Sequence, residues 1–298
     1  MASFEAYSES RVALINRFLE DNLKKFRGSV SQRFSPLIDA MQYSLEGGGK
    51  RLRPLLVLAT AEGLGLKPES VLPAAAALEY IHTYSLIHDD LPAIDDDDTR
   101  RGKPSSHKKF GEAVAILTGD ALLTEAFGLM HQLAEVGGFP PGNILSATEL
   151  LIQVSGVRGM VGGQLLDVTT AHQNYSLPEV EFIHIHKTGA MILGAVLIPT
   201  RLTPVEAPRL RSLRRYGEAI GLAFQISDDI LDSEASLLRY SRGPRKKPKP
   251  SYTQVMSPVE MKEKLNGLID NAIQSLSGEG IGADPLRAIA EFIRTRKH

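Results

Sequence analysis

The chain has 298 residues, of which 43% are hydrophobic and 23% charged, and its formal net charge is −1. This composition is typical of a soluble protein with a large core, and the balanced charge excludes a global attraction to nucleic acid or anionic membranes. There is no cysteine, which excludes disulfides, thiolate metal ligands and a cysteine nucleophile. We find no secretory signal and no uninterrupted apolar run long enough to cross a membrane. We therefore expect a cytoplasmic protein without membrane insertion.

Most of the chain is predicted to be helical. Alanine, leucine, glutamate and glutamine are frequent, and apolar residues recur every three or four positions, as in residues 12–23 and 149–168. Strand-like alternation between hairpin turns is absent, and clusters of glycine and proline divide the chain into roughly ten helices. Several of these helices are apolar around most of their circumference, which is typical of the interior of a bundle. We expect an all-α fold with one domain over residues 1–298.

The first cationic motif is GGGKRLRP, residues 47–54. Its three glycines allow a close approach of the backbone, and Lys50, Arg51 and Arg53 follow them directly. Cations grouped in this way can hold the oxygens of a phosphate group. The alternative interpretation is an ordinary surface turn.

The stretch HDDLPAIDDDD places six carboxylates within ten residues. His82 and Asp89 share one face of the preceding helix, whereas Asp95 lies off that face unless the helix loosens at Pro92. So dense a cluster of like charges needs positive charge nearby, and two arginines follow it in TRRGKP. Arginine is suited to bidentate contact with phosphate. A solvated acidic run is the alternative interpretation.

A third cationic motif is HIHKTGAM, in which Lys187 and Thr188 precede an apolar stretch. A lysine in this position is unfavourable unless it meets an anion. The chain contains no P-loop sequence, so the usual glycine-rich phosphate loop is excluded.

The second acidic motif is AFQISDDILD. Asp228 and Asp232 are four residues apart and share a helix face, which Gln225 joins, and apolar residues surround them. Buried carboxylates need a positive partner, and oxygen ligands alone suit a hard cation such as Mg²⁺, which often bridges to phosphate. One such motif is equally explained as a solvated helix face. Two of them, each attached to an apolar helix, favour a metal site.

The segment that follows, residues 239–252, carries six basic residues and three prolines. It is predicted to be an exposed loop, because proline prevents a continuous helix. Tyr240 is the only aromatic side chain within residues 239–249 that nucleic-acid bases could stack on, which argues against a nucleic-acid partner.

Together these motifs occur in the order and approximate spacing of the trans-isoprenyl diphosphate synthases. The chain resembles in particular the bacterial farnesyl diphosphate synthase type over roughly residues 30–232. The resemblance implies an isoprenoid synthase-type bundle around a deep cavity, a homodimer, and Mg²⁺ as cofactor, with Mn²⁺ as the alternative. It also implies that isopentenyl diphosphate condenses head-to-tail with dimethylallyl or geranyl diphosphate.

The resemblance also implies a role for each residue of the motifs. The expected metal ligands are Asp89, Asp90, Asp95, Asp228 and Asp232. The expected contacts to isopentenyl diphosphate are Lys50, Arg53, His82 and Arg101. The allylic diphosphate is expected to be held by Arg100, Lys187 and Lys249. Thr188 and Gln225 would line the reaction centre near Gln164 and Asp167, so the expected catalytic residues are Lys187, Thr188, Gln225 and Arg100.

The expected chemistry agrees with the residues present. Ionisation of an allylic diphosphate needs charge stabilisation on the leaving group, which a metal ion and cations supply. The alkene of isopentenyl diphosphate attacks the resulting cation, and released pyrophosphate can accept the proton, so no protein nucleophile is required. Apolar cavity walls would keep water from the cation.

Product length is predicted from Tyr84 and Ser85, which precede Asp89 by five and four residues. This distance is roughly 6–7.5 Å along a helix, so Tyr84 could form the floor of the cavity. By resemblance, an aromatic residue here favours a C15 product, and geranylgeranyl diphosphate is the alternative. Core packing is the other interpretation of Tyr84.

The resemblance weakens after Asp232. A glycine-bracketed lysine of the family is missing, with Arg242 and Lys246 as candidate substitutes, and the basic carboxyl terminus suggests that Arg296 reaches the rim of the site. A class I terpene cyclase is disfavoured because both motifs are rich in aspartate. A non-catalytic subunit of another prenyl synthase is disfavoured because these aspartates are retained.

Overall fold

The computed structural model describes residues 4–170, 174–238, 250–278 and 282–296, without the side chains of residues 235–238. As predicted, this part is all-α. Its only strands are β1, Thr99–Arg100, and β2, Lys103–Pro104, which pair antiparallel. This hairpin was not predicted, because strands of two residues are too short to produce an alternating pattern.

Ten of the described helices contain at least ten residues, in agreement with the predicted number. The helices are α1 Phe4–Ser29, α2 Ser35–Leu45, α3 Leu52–Gly63, α4 Leu72–Asp89, α5 Ser106–Phe110, α6 Glu112–His131, α7 Leu133–Gly137, α8 Pro141–Ser155, α9 Met160–Thr169, α10 Leu177–His184, α11 Ala190–Leu197, α12 Pro199–Leu202, α13 Ala207–Leu238, α14 Pro258–Ser275 and α15 Asp284–Thr295.

Local sequence accounts for several helix boundaries. α10 and α14 each begin with a capping box, formed by Ser176 with Glu179 and by Ser257 with Glu260. Proline occupies the first turn of both helices and also of α2, α4 and α8, where its missing N–H would have no partner within the helix. These starts were visible in the sequence because their causes are local.

Helix α4 is central to the core and carries the first acidic motif at its end. It packs against α3 and α6, and all of residues 74–78 are buried. The helix ends at Asp89, where the chain leaves the core. The helix dipole disfavours carboxylates at a carboxyl terminus, so this motif needs cations nearby.

Helix α13 carries the second acidic motif and packs against α11 and α14. It also contacts a π-helical turn, Ile185–Gly189, which α9 touches as well. A Cβ atom on Gly221 of α13 would lie 2.9 Å from the Cα of Gly189, so glycine permits this close contact. π-helical turns are rare and are frequent at functional sites.

Three described stretches are long and apolar enough to cross a membrane by length and composition alone. They are Glu112–Gly137, Pro141–Thr169 and Leu177–Leu202, and between 39% and 61% of the apolar window in each is buried. They were not predicted from the sequence, because polar residues interrupt the apolar run in each of them. Each stretch contains more than one of the helices above and packs within the bundle. The absence of membrane insertion remains a prediction.

Candidate active site

The glycine turn before α3 binds the side chain of Arg101, one of the predicted arginines. Arg101 donates a hydrogen bond to the carbonyl of Gly48. Gly49 has φ +129°, and a Cβ atom there would lie 2.7 Å from the Arg101 guanidinium. The backbone conformation therefore favours glycine, and its missing side chain leaves room for the guanidinium. The motif that contains Lys50 and the hairpin that contains Arg101 meet at this turn.

Cations converge around His82, as the sequence predicted. Desolvation and the guanidinium groups of Arg53, Arg101, Arg51 and Arg100 hold the pKa of His82 well below its ordinary value, so the imidazole is neutral at pH 7. The Nε atom of Arg53 is buried and has no hydrogen-bond partner among the described residues. A buried, unpaired donor among several cations fits an anionic ligand such as a diphosphate.

The first acidic motif folds back on the end of α4. The backbone N–H of Asp95 donates to the carbonyl of Asp89 at 3.0 Å, and that of Asp96 donates to Leu91 at 3.1 Å. Asp95 is thus returned to the end of the helix, as the position of Pro92 led us to expect. The proximity of Asp89 and Asp95 is consistent with a shared cation.

Asp90 has a different environment from the one expected of a metal ligand. Its side chain is 3% exposed and forms a salt bridge with Arg100, whose Nε lies 3.0 Å from Oδ1. Burial raises the pKa of Asp90, although the Arg100 guanidinium opposes this effect. We infer that Asp90 orients Arg100, a role that helix spacing alone did not indicate.

The π-helical turn brings Lys187, Thr188 and Gln225 together. Lys187 Nζ lies 2.5 Å from Asp167 Oδ2, and Thr188 Oγ1 donates to Gln225 Oε1 at 3.1 Å. Burial lowers the pKa of Lys187, but the carboxylates of Asp167, Asp89 and Asp95 outweigh it and raise the pKa, so the lysine is charged. The first acidic motif and Asp167 of α9 therefore both act on this one ammonium group.

A buried amide provides a further unpaired donor. The Nε2 atom of Gln164, in α9, has no hydrogen-bond partner among the described residues. Such a group is costly unless a ligand or solvent contacts it. This observation agrees with the expectation that Gln164 lies near the reaction centre.

In α13, Asp228 pairs with the carboxyl-terminal segment. Arg296 Nη2 lies 2.6 Å from Asp228 Oδ1, and the arginine also donates to Ser227 Oγ at 2.8 Å and to the Phe224 carbonyl at 2.9 Å. The Arg296 side chain is 4% exposed, whereas Asp228 is 42% exposed. Burial raises the pKa of Asp228, and Arg296 opposes this rise. The basic terminus thus reaches the second acidic motif.

The adjacent Asp229 performs a structural task that the sequence analysis did not assign. It accepts hydrogen bonds from the Tyr252 N–H at 2.7 Å, from Ser251 Oγ at 2.9 Å and from Gln225 Nε2 at 3.0 Å. It therefore fixes the residues that follow the basic segment. The sequence offered one indication that Asp229 differs from its neighbours: it lies off the helix face that Asp228 and Asp232 share.

The donor set fits a hard divalent cation. The predicted ligands Asp89, Asp95, Asp228 and Asp232 offer only carboxylate oxygens, which Mg²⁺ prefers. A different group, Asp96, Asp98 and His107, has its ligand atoms within 4.8 Å of one another. Asp98 already pairs with Lys108 at 2.9 Å, and none of these three was predicted.

Electrostatic contacts connect the two acidic motifs through cations. The charge of Asp228 acts on Lys50 and Arg53, Arg53 acts on His82 together with Arg100, and Asp89 acts on Arg100. The motifs therefore belong to one charged region. This region contains both carboxylates, which suit metal ions, and guanidinium groups, which suit diphosphates.

Tyr84 and Ser85, the residues predicted to set product length, lie in the last two turns of α4. The Tyr84 side chain is buried, and its ring meets His88 edge-on at a centroid distance of 5.7 Å. Ser85 Oγ donates to the carbonyl of His82 at 2.8 Å. Lys249 lies outside the described residues, and so do Arg242 and Lys246, the candidate substitutes for the missing glycine-bracketed lysine.

Known proteins resemble this chain along most of its length. The farnesyl diphosphate synthases of Geobacillus stearothermophilus and Escherichia coli are 44% and 41% identical, covering 87% and 92% of this chain and 88% and 94% of those proteins. The chloroplastic geranylgeranyl pyrophosphate synthase of Capsicum annuum is 38% identical, covering 99% of this chain and 79% of that protein.

A solved structure has the same fold. The crystal structure of an FPP/GFPP synthase from Zymomonas mobilis superposes with a TM-score of 0.86 at 35% identity, covering 97% of this chain and 98% of that one. Residues 35–239 match the family described as Polyprenyl synthetase. The motifs, the fold and these relatives agree, and the chain belongs to the polyprenyl synthetase family.

Proposed function

We propose that the protein is a prenyltransferase that condenses isopentenyl diphosphate with dimethylallyl or geranyl diphosphate to give farnesyl diphosphate and pyrophosphate. The observation that carries this proposal is the convergence of four arginines on a neutral His82 between two acidic motifs. Such a region can bind two diphosphates and divalent cations at once. The farnesyl diphosphate synthases among the relatives support the same conclusion.

Each group of residues has a part in the proposed reaction. Lys50, Arg53, His82 and Arg101 bind isopentenyl diphosphate, and the neutral imidazole contributes a hydrogen bond rather than charge. Arg100, Lys187 and Lys249 hold the allylic diphosphate, with Arg100 oriented by Asp90. Mg²⁺, when bound by Asp89, Asp95, Asp228 and Asp232, would stabilise negative charge on the leaving diphosphate.

The polar pair Thr188–Gln225 and the apolar cavity walls contact the prenyl part of the substrates, where the cation forms. Thr188 and Gln225 are fixed by their mutual hydrogen bond and by the bond from Gln225 to Asp229. A fixed dipole beside a developing cation stabilises it without reorganisation. Buried apolar side chains such as Tyr84 exclude water, which would otherwise quench the cation.

The exposed apolar surface supports a homodimer. Leu145 and Ile152 on α8 are 70% and 52% exposed, and Leu165 on α9 is 61% exposed. Leu165 lies between Val161 and Val168 on one helix face, and both valines are exposed as well. An apolar surface of this kind is typical of a protein interface. We propose that a second copy covers it, which also accounts for apolar helices in a cytoplasmic protein.

We expect Leu165→Glu to convert the dimer to a monomer, because a carboxylate buried at an apolar interface costs several kcal/mol. Native mass measured by light scattering would halve. Val259→Glu is the control, since Val259 is 65% exposed at the start of α14, apart from α8 and α9. An unchanged mass in Leu165→Glu, or monomeric wild-type protein, would contradict this interface.

The proposed reaction is tested directly by incubating purified protein with labelled isopentenyl diphosphate, geranyl diphosphate and Mg²⁺. We expect a C15 diphosphate on chromatography. A C20 product would favour the geranylgeranyl alternative, which the Capsicum relative supports. Cyclic hydrocarbons would indicate a terpene cyclase, and the absence of any extended product would leave a non-catalytic subunit.

A further inference from the structure

Glu79 is a buried carboxylate next to the predicted isopentenyl diphosphate site, but it belongs to none of the predicted ligand sets. It lies in α4, three residues before His82, and its side chain is 2% exposed. Its Oε1 atom accepts a hydrogen bond at 2.5 Å from Arg51 Nη1, and the Arg51 side chain is 5% exposed. A pair as buried as this one is costly to form and strongly destabilising to break. Its location therefore calls for a role beyond stability.

Arg51 is held in an unusual conformation by contacts from three helices. Its φ and ψ are 49° and 35°, in the left-handed region, which is unfavourable for a residue other than glycine. Its guanidinium donates to Asn16 of α1 at 3.0 Å, to the Leu45 carbonyl of α2 at 2.5 Å, and to Glu79 of α4. These contacts stabilise the left-handed turn.

The turn sets the positions of the two neighbouring cations. Arg51 points into the junction of α1, α2 and α4, whereas Lys50 lies 5.2 Å from the Phe292 ring and interacts with Arg296 and Asp228. Arg53 interacts with Asp228 and Arg101. Lys50 and Arg53, both predicted ligands, therefore face the site, while Arg51 anchors the backbone away from it.

Glu79 also supplies negative charge to this group of cations. Burial lowers the pKa of Arg53, and desolvation lowers that of Arg101, but in both cases Glu79 acts in the opposite direction and favours the charged form. Arg51, Arg53 and Arg101 would otherwise repel one another before substrate binds. The fixed Glu79 carboxylate offsets this repulsion and so allows the three arginines to lie close together.

Because Arg51 and Glu79 tie the glycine turn to the part of α4 that carries His82, we propose that they form a positioning pair for the cations that bind isopentenyl diphosphate. This inference rests on the proposed function. Neither residue touches the substrate, and both act through Lys50, Arg53 and Arg101. Their effect is therefore specific to one of the two diphosphate sites.

The test is steady-state kinetics with each substrate varied at saturating concentration of the other. We expect Arg51→Gln to raise the KM for isopentenyl diphosphate about tenfold or more, since misplacing one charge-assisted contact costs at least that factor. The KM for geranyl diphosphate should remain within about twofold, because Arg100 and Lys187 are held by Asp90 and Asp167 instead. Arg51→Lys, which keeps the charge but not the three-way contact, should recover part of the loss.

Each single substitution leaves a buried charge without its partner, Arg51 in Glu79→Gln and Glu79 in Arg51→Gln, so both variants are expected to lose stability. The double variant Arg51→Gln/Glu79→Gln removes both charges and keeps two amides that can bond to each other. We expect the double variant to fold. Its KM for isopentenyl diphosphate should be no higher than that of Arg51→Gln, because the two substitutions remove the same Arg51–Glu79 interaction.

The control is Arg11→Gln, which breaks another arginine–glutamate pair between α1 and α3, with Arg11 2.6 Å from Glu62 at the opposite end of α3. It should leave both KM values unchanged. The inference is overturned if folded Arg51→Gln keeps its KM for isopentenyl diphosphate within about twofold of wild type. It is equally overturned if both KM values rise together. Failure of the proposed function would give a different result from failure of this inference, since the wild-type protein would then extend no substrate.

Discussion

Asp228→Asn is expected to lower kcat by about a thousandfold while the protein remains folded. The substitution preserves shape but removes a carboxylate that we propose binds a divalent cation, and loss of one preorganised electrostatic group costs roughly 10²–10³ in rate. The change removes the counter-charge of Arg296 and so costs some stability. The fold should tolerate it, because the Asp228 side chain is 42% exposed and Arg296 keeps its bonds to Ser227 and Phe224. Product formation and the thermal unfolding midpoint measure the two effects separately.

Asp229→Asn is the matched control on the neighbouring residue. Asp229 accepts three hydrogen bonds with its two carboxylate oxygens, and an amide would place an N–H group against one of those donors. We expect a loss of about 1–3 kcal/mol in the free energy of unfolding and a smaller loss of kcat. If Asp228→Asn retained more than about a tenth of wild-type kcat, its role as a metal ligand would be refuted.

Tyr84→Ala is expected to lengthen the main product beyond C15. The Tyr84 ring is 6% exposed in α4. Its removal would open space in the direction in which we propose that the allylic chain grows. A longer prenyl chain would gain apolar contact there, so condensation would continue past farnesyl diphosphate. Chromatography of the dephosphorylated products would give the distribution of chain lengths.

Two controls separate a cavity floor from general core packing. Tyr84→Phe keeps the ring and should leave C15 as the product. Tyr80→Ala removes a ring from the same helix that is completely buried, and it should lower stability by about 3–5 kcal/mol without lengthening the product. C15 as the sole product of folded Tyr84→Ala would show that Tyr84 serves packing alone.

The acidic motifs illustrate how far spacing can predict a site. The spacing placed Asp95 off the face of His82 and Asp89 unless the helix loosened at Pro92, and the hydrogen bond to the Asp89 carbonyl shows that the chain does turn back there. The sequence also predicted that Asp228 and Asp232 share a helix face, because helix periodicity places residues four positions apart on the same side. Spacing could not distinguish Asp90 from Asp89, since their different partners come from elsewhere in the chain.

Other residues acquired their roles only through distant contacts. Asp229 is separated from Tyr252 by 23 positions, Arg51 from Glu79 by 28 and Arg296 from Asp228 by 68. Periodicity carries no information about such pairs, because it describes one helix at a time. The hairpin Thr99–Pro104 and the π-helical turn were also missed, since each is shorter than any repeating pattern.

The sequence by itself determined the all-α class, the apolar helices and the order of the motifs that identify the family, because these depend on local preferences and on the identity of side chains. Only the tertiary structure decided which carboxylates hold a neighbouring group in place, as Asp90 holds Arg100 and Asp229 holds Tyr252. The physical reason is that burial and charge pairing are set by several helices packed together, and adjacent aspartates on one helix can face entirely different partners.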